Sequence, residues 1–279
     1  MSNITEVVRR DLIKALQQDK LTLPTLPEVA LKVREVAQDP DADIASITKV
    51  LSNDAALSAR IIKVANSPLL RSAQPIQDIK MAVSRLGLNY TANLATGLAM
   101  EQMFQATSDI IDTRMRDVWG KSTEVAGMCH VLCRAYTKLQ PDQATLAGLI
   151  HKIGVLPILK FAEEVHTELL ESAATLDLVI NDLQGDVGTL ILKTWEFPPE
   201  LVAVPREYVN FQRTVPKADY ADLVMIANLQ SLLGSNHPFT QLDWSKISAF
   251  KRVGVPHDQN LMDLEDLSDD MAAAMSMLG

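Results

Sequence analysis

The chain has 279 residues, 26 basic against 35 acidic, a formal charge of −9 and an apolar share of 47%. That apolar share excludes a largely disordered chain, and the length is enough for one large or two modest cores. The acidic balance disfavours broad binding to nucleic acid, whose affinity comes mostly from cations meeting phosphates. The apolar run at residues 92–103 is interrupted by Asn93, Thr96 and Glu101 and is too short to cross a membrane. The N-terminus alternates charges (Glu6, Arg9, Arg10, Asp11, Lys14) and has no apolar signal core. These features lead us to expect a cytoplasmic protein without membrane contact.

Apolar residues recur at three- and four-residue steps almost throughout, so the expected fold class is all-α. Ile4, Val7, Val8, Leu12, Ala15 and Leu16 outline a first amphipathic helix. Pro24 and Pro27 interrupt the pattern, and Pro27 opens a helix carrying Val29, Leu31, Val33 and Val36. Asp43 caps a helix over 44–51, and Asn53 or Asp54 caps the next, which ends at Asn66-Ser67-Pro68. Pro75 or its neighbour opens a helix that Gly87 stops, and a longer one runs over about 89–104. The more polar stretch 106–111 is read as a joint, giving an N-terminal helical subdomain at 1–105 and a second, 106–279. A long helix passes through Trp119, Val125 and Leu132. Another starts near Asp142, carries His151, and is kinked or ended by Pro157. Short helices are expected at 176–183, 186–194, 199–210 and 216–233, and an amphipathic run (Leu261, Leu264, Leu267, Met271, Met275, Leu278) closes the chain.

The stretch Gly148-Leu149-Ile150-His151-Lys152-Ile153-Gly154 carries the most chemical information. With Leu23-Pro24-Thr25-Leu26-Pro27, Asp54-Ala55-Ala56-Leu57, Lys63-Val64-Ala65-Asn66-Ser67, Leu86-Gly87, Trp119 with Ser122, Val187-Gly188 and Trp195-Glu196-Phe197-Pro198, it resembles the HDOD family. That family is related to the HD metal-dependent phosphohydrolases. The resemblance covers about residues 23–230 and rests on the order and spacing of pieces that are individually weak.

The resemblance implies an HD-like helical bundle packed on an N-terminal multi-helix subdomain, and it locates a metal site to check. In catalytic relatives the central His is followed by a metal-binding Asp; here His151 is followed by Lys152. An ammonium has three donors and no acceptor, so it cannot ligate a cation. A second ligand position holds Lys121. Two more fall where the chain reads Gln184-Gly185-Asp186 and Tyr208-Val209-Asn210, and Asp222 is the last candidate. His151, Lys152, Lys121 and Asp222 thus mark a vestigial pocket in which Lys152 takes the cation's place and pairs with Asp222 or another carboxylate. No catalytic residue, metal ligand or cofactor site is assigned. The function this implies is a non-catalytic bacterial signal-transduction or regulatory module that acts on a separate protein partner. The pocket would be open to a small anion, and the chain to homo-oligomerisation. The competing class is a metal-dependent phosphohydrolase acting on a nucleotide or phosphodiester.

Other residues have plainer readings. Cys129 and Cys133 share a helix face and read as small buried hydrophobes. His130, His166, His237 and His257 lack ligand spacing and read as surface residues. Ser122 lacks the context of a nucleophile. Asn66 and Ser67 serve to stop a helix. Arg60, Lys63 and Arg71 read as solvated helix faces. The C-terminal run is expected to dock on its own domain, with an intermolecular contact as the alternative.

Overall fold

Side-chain caps set many of the helix starts. The computed structural model describes residues 3–18, 21–70, 74–106, 108–263 and 267–278, and no strand occurs among them. Helix α1 (Asn3–Gln17) is followed by α2 (Glu28–Gln38), α3 (Ile44–Leu51), α4 (Ala55–Ala65), α5 (Ile79–Leu86) and α6 (Leu88–Ala99). Asp43, Asp54 and Asp78 accept from the backbone N–H three residues on, at 2.8–2.9 Å, and so open α3, α4 and α5. The fifth helix therefore starts after Asp78, not at Pro75. Gly87 (φ +83°) ends α5 and turns the chain directly into α6. Residues 100–103 tighten into a 3₁₀ turn, so the sixth helix is shorter than its apolar pattern suggests.

The second half comprises α7 (Asp109–Tyr136), α8 (Pro141–Ile150), α9 (Val155–Val165), α10 (Ala173–Thr194), α11 (Pro199–Val202), α12 (Val204–Glu207), α13 (Tyr220–Ser231), α14 (Ser248–Val253) and α15 (Ser268–Met277). Helices α8 and α13 are buried on nearly every side and form the centre. Pro157 lies in the first turn of α9, where its missing N–H costs nothing. Residues 141–165 are apolar and long enough to cross a membrane by composition, more so than 92–103. They form two helices broken at 151–154, mostly buried inside the fold.

The expected break at residues 184–185 is absent, and α10 is continuous. A methyl on Gly185 or on Gly188 would crowd Pro205. Their role is close packing of α10 against α12, which outweighs the propensity cost of about 1 kcal/mol per glycine.

Buried side chains on both sides of residue 105 belong to one contiguous core, and α6 packs on both α2 and α8. Arg34 on α2 adds a polar staple. It donates to the carbonyls of Trp195 (2.8 Å) and Glu196 (2.9 Å) and stacks over Phe197 at 4.3 Å. Trp195 donates in return to the Pro24 carbonyl at 3.1 Å.

The C-terminal helix α15 lies along α7, with Leu261, Leu267, Met271 and Leu278 buried. Leu264, the side chain of Met275 and Arg71 lie outside the described residues. Arg60 is a linking residue, not a solvated one. It pairs with Glu101 and donates to the carbonyls of Leu98 and Leu278. Asn66 reaches further than a helix stop: its side chain exchanges two hydrogen bonds with the backbone of Ile76, at 2.7 and 2.8 Å.

Candidate functional site

The Gly148–Gly154 segment is held by two close backbone approaches. A methyl on Gly148 would overlap the backbone of Ala126, so α8 runs against α7 with no side chain between. A methyl on Gly154 would overlap the backbone of Gln184 and Gly188 on α10. The turn at 151–154 is thereby wedged between two helices, and Lys152 projects into the cleft they leave.

That cleft has a volume of about 600 Å³. Lys121 and Arg114 enter from α7, Lys152 from the turn, Asn181 and Gln184 from α10, Tyr208 from the end of α12, and His237 from the segment after α13. Val118, Val155, Leu159 and Ile180 supply apolar wall. Three of the positions inferred from the family resemblance (Lys121, Gln184 and Tyr208) thus converge beside Lys152.

His151 lies behind this wall and is fully buried. Its Nδ1–H donates to the Gly148 carbonyl at 2.6 Å, which leaves Nε2 as a bare acceptor. Among the described residues Nε2 has no hydrogen-bond partner. The ring meets Tyr208 edge-on, centroids 4.8 Å apart. Burial, and then the charge of Lys152, push its pKa down to about 3, so the imidazole is neutral at ordinary pH. Tyr208 is also buried, and its hydroxyl accepts from Gln184 at 3.2 Å. Burial raises its pKa, so the phenol stays protonated.

Lys121 is partnered: it donates to Glu124 at 2.6 Å and to the Ser231 carbonyl at 2.9 Å. Arg114 is paired with Asp177 at 2.7 Å. Lys152 makes no ion pair or hydrogen bond among the described residues. Burial, and secondarily the neighbouring charge of Lys121, lower its pKa.

The expected pairing of Lys152 with Asp222 does not occur. Asp222 is fully buried elsewhere, between two guanidiniums. It accepts from Arg213 at 2.5 Å and from Arg252 at 2.7 and 2.8 Å. Arg213 extends this network to Asp219 and Glu207. Asp222 is not among the residues lining the Lys152 cleft. The cause lies in α14 and the 208–219 loop, whose arginines sit too far along the chain for local patterning to pair them with Asp222.

Two other histidine readings are corrected. His130 is buried, with Nδ1 at 3.1 Å from the Thr145 hydroxyl and 3.3 Å from that of Tyr90. His166 is also buried, between Glu168 (2.9 Å) and Asp11 (3.5 Å). His237 is half-buried and lines the cleft; no spacing signal could have placed it there. Ser122 donates to the Val118 carbonyl, and both cysteines are buried and free, as their patterns suggest.

The donor set does not suit a divalent metal. Around the cleft it comprises the His151 imidazole behind the wall and that of His237 within it, a phenol kept protonated, two primary amides, two ammoniums and a guanidinium; of its two carboxylates, Asp177 is taken by Arg114 and Asp117 is exposed. Such cations require several anionic or imidazole donors. No cluster of three or more His, Cys, Asp or Glu side chains able to hold a metal occurs among the described residues.

An all-helical bundle wrapped on a glycine-pinned His-Lys turn defines an HD-type helical protein with a cationic cleft. Residues 23–210 match the HDOD domain, and the chain belongs to the HDOD family. The crystal structure of a Shewanella amazonensis SB2B protein, whose name proposes a metal-dependent phosphohydrolase, superposes with a TM-score of 0.88. It is 32% identical, and the match covers 99% of each chain. An HDOD domain protein of unknown function from Geobacter sulfurreducens is 20% identical, with a TM-score of 0.64 over 98% of this chain and 97% of that one. An uncharacterised protein of Treponema pallidum (strain Nichols) is 25% identical over 248 residues. That match covers 82% of this chain and 46% of the relative, so the chain spans less than half of that protein's length.

Proposed function

We propose that this chain is a non-hydrolytic regulatory module of bacterial signalling, working in the cytoplasm through contacts with a protein partner. The observation that carries the reading is Lys152, a cation from the protein itself where a metal-binding carboxylate would be needed. HD-type hydrolysis uses a bound metal to lower the pKa of water and to orient phosphate. A fixed ammonium repels that metal and offers it no lone pair.

The second reading, a metal-dependent phosphohydrolase, is favoured by the name of the Shewanella protein at 32% identity. The two separate cleanly. Purified protein is incubated with excess Mn²⁺, dialysed and assayed for metal content, then for hydrolysis of bis-p-nitrophenyl phosphate. The regulatory reading expects sub-stoichiometric metal and no turnover above the buffer rate. Near-stoichiometric metal with turnover abolished by His151→Ala would establish the phosphohydrolase.

A further inference from the structure

We propose that the cleft between α7, α9 and α10 is a binding site for a small organic phosphate, with the Lys152 ammonium as its anchor. The inference names the ligand class of the site discussed above and rests on the reading that this site does not hydrolyse. Three observations carry it.

The first is an unmatched cation. A largely enclosed ammonium without a carboxylate or carbonyl partner is costly, and native folds normally pair such a group. Every other cation in the cleft has its partner: Lys121 has Glu124, and Arg114 has Asp177. The remaining acid in the lining, Asp117, is exposed at the rim. Lys152 therefore has donors to spare, and a phosphoryl oxygen accepts them with a charge-assisted bond.

The second is the space. About 600 Å³ lies within the range of small-molecule pockets and suits a mononucleotide-sized body. The third is the lining. Val155, Leu159 and Ile180 give an apolar wall, while Asn181 and Gln184 bring amides to it. The Gln184 amide is fixed by donation to the Tyr208 hydroxyl at 3.2 Å, so this part of the wall is held in place. An anionic head at Lys152 with a flat, partly apolar body along the wall satisfies each of these. Inorganic phosphate would satisfy only the first.

The test is isothermal titration of the full chain with AMP and, separately, with inorganic phosphate, together with ³¹P spectra of the same samples. Wild type is expected to bind AMP. Lys152→Met should weaken that binding about tenfold or more, the scale of one charge-assisted bond, while Lys152→Arg stays within a few fold of wild type. Lys251→Met, on the exposed face of α14, is the control and should leave binding unchanged. Thermal melts of each variant confirm folding. Tighter binding of AMP than of phosphate supports an organic ligand. Equal binding of both, absence of AMP binding, or AMP binding unchanged in Lys152→Met overturns the proposal. Release of phosphate from bound AMP in the presence of Mn²⁺ would overturn the non-hydrolytic reading instead, while the site assignment stands if Lys152→Met still abolishes binding.

Discussion

Around Asp222, two guanidiniums face three carboxylates, and every strong donor finds an acceptor. Around Lys152, three cations share a cleft, and one of them has no partner. Both clusters lie beyond residue 105, and family resemblance alone would merge them into one site. Their charge balance separates them. The first is closed and holds α13, α14 and the preceding loop together. The second is open and carries an unused binding capacity.

The sharpest way to test this contrast is to break the closed cluster. Asp222→Ala leaves Arg213 and Arg252 without their central acceptor, one of them buried. The expected loss is about 3–5 kcal/mol, read as the urea midpoint. If the loss were below about 1 kcal/mol, the cluster would not be the structural lock described here.

Next in size is the wedge that presents Lys152. Gly148→Ala pushes a methyl into the Ala126 backbone and should cost about 1–3 kcal/mol, although alanine is the better helix former. A stabilised Gly148→Ala would show that α7 and α8 do not touch as closely as the structure places them.

Acid should act on the buried histidines near the centre. His151 and His130 are held down to about 3 and about 4, against an ordinary 6.5, so both are neutral in the fold. The unfolded chain binds protons first. Stability is therefore complete above about pH 6.5 and falls as the pH drops from there towards the folded values. The slope approaches about 1.4 kcal/mol per pH unit for each histidine. Urea titrations between pH 7 and pH 5 measure it, and His151→Gln should flatten it by about one proton.

The smallest effect is expected in the open cluster. Lys152→Met replaces an unpaired ammonium by an apolar side chain of similar length and should raise stability by roughly 1 kcal/mol. A clear loss would mean that Lys152 has a structural partner, and the contrast between the two clusters would dissolve.

The all-helical class, Asp43 as a cap and Asp54 as one of two candidates for the next were legible in the chain, because periodicity and local caps act over a few residues; the turn at 151–154 was not, since the pattern reads there as one helix carrying His151 on to Pro157. Convergence of Lys121, Gln184 and Tyr208 on one cleft was legible only through the family spacing. The partners of Asp222 were not, since Arg252 lies thirty residues away and nothing in its neighbourhood marks it. The packing role of Gly185 and Gly188 was hidden for a related reason. A glycine that permits close packing and one that breaks a helix look alike in one dimension. His130 and His166 were assigned to the surface because burial of a polar ring depends on distant hydroxyls and carboxylates.

Helix α10 touches the cleft through Asn181 and Gln184, and the carbonyls of the two residues that follow it, Trp195 and Glu196, are gripped by Arg34 on α2. The twelve residues from Gln184 to the cap Trp195 span about 17 Å. A stiff rod fastened near both ends joins the pocket wall to α2, so a ligand that tilted α10 would carry the tilt to Arg34. Occupancy could thus be read on a face that never meets the occupant.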